Sequence, residues 1–480
     1  MTERRAGRRT KVVATVGPAC DAPAALQAMA AAGMDVARVT LAHGPTDEAL
    51  DRVRRLRAAV PGVGVMADLP GPKVRAAPFP EGGARLVPGA PVSLVGAGPG
   101  DGSTSERVGV TDDVVLALLQ PGDRVALGDG GVVLTVVDRS GDRVSATVRS
   151  GGTVQGRPGI AVPGARVPLA TPTADDLERL DALVAEGVDL VAVSFVRSAD
   201  DVARVRSAAG ADPPMLVAKI ETPEAVEDLD RIVAVADAVM VARGDLGVRL
   251  PFEEVPHLQK RIIRSGVRYG RPVITATQML ESMVTATTPT RAEVTDVANA
   301  VLDGTSALML SGETAIGVDP VAAVTAMARI AERAERDFDY AGWGANLGVQ
   351  EVAGGRGSPA GITAATTAAG WKAAIDQEAE LIVACTRSGA TARAISRFRP
   401  GIPIVAATPS ERTARQLTLS WGVRALVVPE STSTDDIVWF AVQAAVRAGL
   451  AAVGDVAVVL AGSPTEPEPA TDTMRLVRIR

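Results

Sequence analysis

Three side chains in the middle of the sequence have the types and spacing for one chemistry. Lys219 and Glu221 lie two residues apart at the end of the aliphatic run Met215–Glu221. On a strand both side chains point to one face. Glu221 and Asp245 supply hard oxygen donors of the kind Mg2+ takes, and Lys219 sets an ammonium beside that metal. Arg38 and Arg75 add guanidinium forks that match phosphate oxygens. Cations gathered around one group, with little covalent assistance, are what phosphoryl transfer requires. Asp245 sits in the turn Arg243–Gly247. A helix starting there offers free N–H groups to a substrate carboxylate, and Thr277 is placed to sit over a substrate carbon and relay a proton. Five of the 50 basic residues are lysine: Lys11, Lys73, Lys219, Lys260 and Lys372. Where arginine is so dominant, a retained lysine marks a place that wants a compact ammonium.

The elements that must position these groups read as βα units. Eight short aliphatic runs alternate with helical patterns: Lys11–Val16, Asp35–Leu41, Gly62–Leu69, Leu190–Phe195, Met215–Glu221, Ala238–Gly244, Pro272–Thr277 and Ala307–Ser311. Amphipathic stretches such as Ala22–Ala32 and Thr46–Ala59 lie between them. The pattern predicts a (β/α)8 TIM barrel, whose site lies at the C-terminal ends of the strands. Polar residues collect there: Arg38 and Thr40, Asp68, Lys73 and Arg75, Ser194 and Arg197, Lys219 and Glu221, Gly244 and Asp245, Thr277 and Gln278, Ser311 and Glu313. The gap between the third and fourth runs is too long for one connection. It is rich in Gly and Pro and has Val-alternating pieces at Val132–Val137 and Val144–Val148, so 72–167 reads as an inserted small β-barrel domain capping the site. The barrel then takes 1–71 and 168–340. After the break Gly354–Gly361, runs at Leu381–Thr386, Pro403–Thr408, Ala425–Val428 and Val456–Ala461, with a helix over Thr434–Ala448, predict a doubly wound α/β domain over 341–480.

Composition excludes other classes. A net charge of -6 gives no footing for nucleic acid or a membrane surface. No run of about 18 apolar residues predicts a membrane span, and the N-terminus lacks the apolar segment of a secretory signal. Cys20 and Cys385 are far apart and in no metal-ligand spacing, which fits a reducing, cytoplasmic setting.

The segments Ala218–Glu221, Met240–Gly247, Ile274–Ser282, Thr288–Glu293, Asp296–Gly304 and Met309–Thr314, with Thr15–Pro18 and Asp68–Arg75, resemble the pyruvate kinases in order and content. The resemblance implies transfer of a phosphoryl group from phosphoenolpyruvate to ADP, with Mg2+ or Mn2+ held by Glu221 and Asp245. Lys219 then stabilises the phosphoryl group in flight, Arg38 contacts it, and Arg75 assists. Ala242, Arg243, Gly244 and Asp245 receive the substrate carboxylate, with Ser311 close by. Thr277 lies near the carbon that is protonated, and Thr15, Pro18 and His43 fall in the nucleotide region. A homotetramer is the family's usual assembly.

The sequence departs from the family at its monovalent-cation pocket. Thr40, Ala42 and Leu69 stand where potassium-dependent members have Asn, Ser and Thr, and Lys73 stands where they carry Glu. The expectation is activity without potassium, with Lys73 as an internal cation. In the C-terminal domain, Thr386, Ser388, Gly389 and Thr391 match the segment that holds the phosphate of an allosteric effector. The later loop carries two acids and two prolines after Ala461–Pro464, which disfavours a bisphosphate. Two other readings stand beside the enzyme: a metal-dependent aldolase barrel, and a divergent paralogue that senses a metabolite.

Overall fold

The computed structural model describes residues 7–42, 44–72, 74–128, 130–161, 170–348, 357–462 and 470–480. His43 and Lys73 lie outside the described residues, as do parts of the expected 341–480 and 72–167 segments.

Eight parallel strands close into a barrel: Lys11–Thr15, Val36–Thr40, Gly64–Leu69, Leu190–Val193, Met215–Ile220, Ala238–Ala242, Val273–Ala276 and Ala307–Leu310. Each lies inside its aliphatic run. The first strand pairs with the eighth, Lys11 opposite Ala307, and that pairing closes the ring. Every residue of the third, fourth, sixth, seventh and eighth strands is buried. This explains runs that are aliphatic rather than alternating.

The barrel interior is filled by one cluster that includes Val13, Val36, Met66, Ala192, Val217 and Met240. These residues set the parity of each strand. Two residues further along, the same inward face carries Thr15, Arg38, Asp68, Ser194 and Lys219, because successive side chains alternate. The polar rim is thus the next layer of the barrel's own filling, exchanged from aliphatic to charged where the interior opens.

Between the third and fourth strands the chain forms a six-stranded sheet from Pro91–Gly96, Arg107–Val110, Arg124–Leu127, Val132–Ser140, Arg143–Ser150 and Ile160–Ala161. It has its own apolar cluster, with Leu94, Val125, Leu134 and Val144 at its centre. The C-terminal sheet has the order Val423–Val427, Ile404–Thr408, Leu381–Cys385, Val456–Ala461 and Thr473–Arg478. Its last strand runs antiparallel at the edge and was absent from the sequence expectation. This domain seals the base of the barrel. Leu419 enters the barrel's interior cluster, and the buried Asp189 carboxylate holds Arg57 at 2.6 Å and Arg415 at 3.0 Å. Among the described residues no helix is long and apolar enough to cross a membrane.

Candidate functional site

Glu221, just past the fifth strand, is fully buried. Its Oε1 accepts a hydrogen bond from the Phe195 backbone N–H at 2.6 Å. Its Oε2 is buried with no hydrogen-bond partner, and the Lys219 ammonium stands 3.7 Å away. A buried orphan oxygen of this kind is costly. Burial pushes the Glu221 carboxyl up to about 7 against the pull of Lys219.

Lys219 Nζ donates to Ser194 Oγ at 2.7 Å and to Asp68 Oδ1 at 3.4 Å. Burial opposes its charge, but Asp68 and Glu221 outweigh burial and hold the ammonium above its usual range. Asp68 is the hinge of the network. Arg38 Nε donates to its Oδ2 at 2.7 Å and Ser194 Oγ to its Oδ1 at 3.3 Å. Burial raises the Asp68 carboxyl, yet Lys219 and Arg38 together bring it below the usual carboxylate value. Arg38 Nη1 donates to Thr15 Oγ1 at 3.0 Å, and Thr15 donates to the Leu310 carbonyl at 2.8 Å, next to Ser311. Six barrel strands or strand ends, the first to the fifth and the eighth, are therefore joined in one polar chain.

A second group stands beside it. Thr277 adopts a left-handed φ of 69°, which a threonine rarely does without tertiary support. Its Oγ1 accepts from the Gly244 N–H at 2.7 Å and donates to the Ala276 carbonyl at 2.6 Å. Asp245 lies in the first turn of the helix Arg243–Arg249, which follows Ala242, and its charge acts on both Glu221 and Lys219. The Arg243 side chain is a brace. It pairs with Asp296 at 2.8 Å and donates to the Thr277 carbonyl at 2.7 Å. The Thr288–Glu293 segment is a reciprocal cap: Thr290 and Glu293 satisfy each other's backbone N–H at the start of Arg291–Leu302.

Other expected residues lie apart. Arg75 lines a neighbouring cavity of about 490 Å3 with Ala42, Gly71 and Asp176, and donates to the Ala42 and Arg157 carbonyls. Pro18 is exposed beyond the first strand. In the C-terminal loop, Thr386 Oγ1 accepts from the Gly389 N–H at 2.9 Å, and the Thr391 hydroxyl is turned inward onto Thr471 at 2.7 Å. Ser388 is exposed. The sequence reading missed Asp68 as the counter-ion of Arg38 and Lys219, and Ser194 as the ammonium's partner. Their shared inward parity was the available signal.

Among the described residues there is no group of three or more metal-type side chains. Two carboxylates, one with an orphaned buried oxygen, fit Mg2+, which takes one or two protein carboxylates and completes its shell with water and substrate phosphate.

Fold and rim together define a class, a phosphotransferase built on a (β/α)8 barrel with an α/β domain at its base. Comparison with known proteins narrows it. The model described as pyruvate kinase, barrel domain, matches residues 7–324, and the one described as pyruvate kinase, alpha/beta domain, matches 364–477. A pyruvate kinase of Agrobacterium vitis is 41% identical over 479 residues, covering 99% of both chains. That of Methylorubrum extorquens is 39% identical over 98% of this chain and 97% of its own. One from Mycobacterium tuberculosis is 40% identical over 98% of each. The chain belongs to the pyruvate kinase family.

Proposed function

We propose that this protein moves the phosphoryl group of phosphoenolpyruvate to ADP, giving pyruvate and ATP, with Mg2+ or Mn2+ at Glu221 and Asp245 and without potassium. The observation that carries the reading is the buried chain Arg38–Asp68–Lys219–Glu221. Lys219 is kept charged by two acids on the inward face of its strand, a place suited to a phosphoryl group in transit, which needs a cation. Arg38 is held rigidly by Asp68 and Thr15, so its remaining donors are preorganised for phosphate oxygens. The divalent ion, when bound, neutralises charge on the phosphoryl and product oxygens. A substrate carboxylate takes the Gly244 N–H, and the Thr277 hydroxyl, swung away from the Ala276 carbonyl, relays a proton from water to the substrate carbon, taking one up as it gives one.

The reading without potassium is supported by how the oxygens are used. Asp68 spends one oxygen on Arg38 and the other on Lys219 and Ser194. Thr40 Oγ1 accepts from the Ala42 N–H at 3.2 Å, and Ala42 and Leu69 have no side-chain oxygen. Few donors are left for a monovalent ion, and Lys73 is the cation we assign in its place. Thr15, Pro18 and His43 are read as the nucleotide group, and Arg75 as assisting phosphoryl transfer from the neighbouring cavity. Ser388 is read as the open part of an effector phosphate loop, since Thr391 is engaged with Thr471 and Thr386 with the Gly389 N–H. A cytoplasmic homotetramer completes the reading, supported by exposed apolar side chains such as Phe252 and Trp439. The metabolite-sensing alternative has no support in a rim whose charged network is complete. The test is turnover in tetramethylammonium buffer with potassium titrated in. The expected response is within about twofold, and a stimulation of tenfold or more rejects this assignment.

A further inference from the structure

At the opposite end of the barrel from the rim, a second concentration of positive charge serves nothing described so far. Arg271 precedes the seventh strand, Arg393 lies in the helix Ala390–Ser396, Arg397 caps that helix, and Arg399 follows. With Ser306 they line a cavity at the seam between the barrel's base and the C-terminal domain.

Among the described residues none of the four makes an ion pair. Their donors go to carbonyls: Arg271 to Ala234 at 3.0 Å, Arg393 to Ser388 at 3.1 Å, Arg397 to Arg268 at 3.3 Å, and Arg399 to Thr305 at 2.7 Å and to Gly304. Nearby acids are engaged elsewhere. Asp237 holds Arg206 at 2.7 Å and the Leu216 N–H at 2.9 Å. Asp230 takes the Ser265 hydroxyl at 2.6 Å, and Glu335 takes the Arg9 N–H at 2.9 Å and the Thr10 N–H. The Nε groups of Arg271 and Arg397 are buried with no hydrogen-bond partner.

Arg399 is accounted for by aromatic faces, since its guanidinium lies 4.7 Å from the Trp421 ring and 5.3 Å from that of Phe338. Arg397 has one ring face, that of Phe398 at 4.7 Å, and Arg271 and Arg393 have none, with Asp237 acting on these two only from beyond ion-pair distance. Burial pulls Arg393 and Arg397 down to about 10, and Arg271 below its usual value. Partly buried cations with no acid within ion-pair distance are costly, so the chemistry this seam favours is negative. Size narrows it further. The cavity volume is only about 20 Å3, counted as space for the centre of a water-sized body. A sugar or nucleotide does not fit there, whereas one tetrahedral ion does.

We propose that Arg271, Arg393 and Arg397 form a site for a small inorganic oxyanion, phosphate or sulfate, between the barrel's base and the C-terminal domain. Because Arg393 also holds the Ser388 carbonyl, occupancy of the seam is coupled to the loop Thr386–Thr391.

Thermal unfolding of the full chain is followed against phosphate and against sulfate at constant ionic strength, in wild type, Arg397→Gln and Arg397→Lys. The concentration giving half the stabilisation rises about tenfold or more in Arg397→Gln, from loss of one charged hydrogen bond, and less in Arg397→Lys. A response to phosphate alone names phosphate as the ligand, and equal responses name the shared tetrahedral chemistry. Identical titrations in wild type and Arg397→Gln overturn the site. Should that variant fail to fold, a crystal of the wild-type chain soaked in selenate decides. An anomalous peak among the three guanidinium groups supports the site, and its absence there overturns it, whatever binds at the rim.

Discussion

Replacing Lys219 by Met removes the ammonium while keeping the length and bulk of the side chain. Its Nζ is 3.7 Å from Glu221 and 3.4 Å from Asp68. A unit-charge pair near 4 Å is worth about 4 kcal/mol at an effective dielectric constant of 20. Asp68 retains Arg38, but Glu221 has no other cation at such a distance among the described residues. Its carboxyl, already pushed up to about 7 by burial, then stays protonated above neutral pH. Two losses coincide: the cation that meets the phosphoryl group, and the ionised oxygen that suits a divalent metal. Loss of one preorganised donor alone costs about 10²–10³ in rate, so kcat should fall by roughly 10³ or more in a coupled pyruvate assay. The fold should survive, because Asp68 keeps Arg38 and a protonated Glu221 leaves no buried charge unpaired. Circular dichroism and a melting point within a few degrees of wild type check this. Lys219→Arg keeps the charge, but a planar fork cannot repeat a 2.7 Å contact to Ser194 and still lie between two acids. It should recover only part of the rate. A Lys219→Met enzyme within tenfold of wild type would refute the reasoning.

Two further outcomes follow from named contacts. The folded-state carboxyl of Asp68 is held below its ordinary 3.8, so its contribution to stability is present above that value and is lost as pH falls through the lower folded value. Asp68→Asn leaves Arg38 and Lys219 short of a counter-charge and should cost about 3–5 kcal/mol at pH 7. In urea unfolding the gap to wild type should narrow below about pH 4, and a gap independent of pH contradicts the assignment. Gly304 has φ of 98°, and a Cβ there would lie 2.3 Å from the Trp343 ring. Gly304→Ala should destabilise by about 1–3 kcal/mol from overpacking, and an unchanged urea midpoint counts against it.

The barrel was legible because its strands are buried on both faces, and a buried parallel strand writes itself as an unbroken aliphatic run. All eight strands fall inside such runs. The edge strand Thr473–Arg478 was not legible for the converse reason. It lies at the sheet's border, largely exposed, and alternates polar with apolar like any loop of mixed composition. The rim was legible as residue types at strand ends, and Lys219 stood out because lysine is scarce. Its wiring was not. Asp68 and Lys219 are 151 positions apart, and no local pattern says which acid an ammonium will meet. Parity along each strand gives the face, while the closure of the ring gives the neighbour. Nor could spacing reveal that Leu419, far along the chain, fills the bottom of the barrel, or that Arg243 turns its guanidinium to Asp296 rather than to the rim.

The most direct measurement mixes the purified chain with phosphoenolpyruvate, ADP and Mg2+, with potassium omitted, and follows pyruvate and ATP together. Equimolar pyruvate and ATP, abolished by chelating the metal and restored by Mg2+ or Mn2+, is the predicted result. No ATP under these conditions, or pyruvate released without it, would contradict phosphoryl transfer at the Lys219–Glu221 rim.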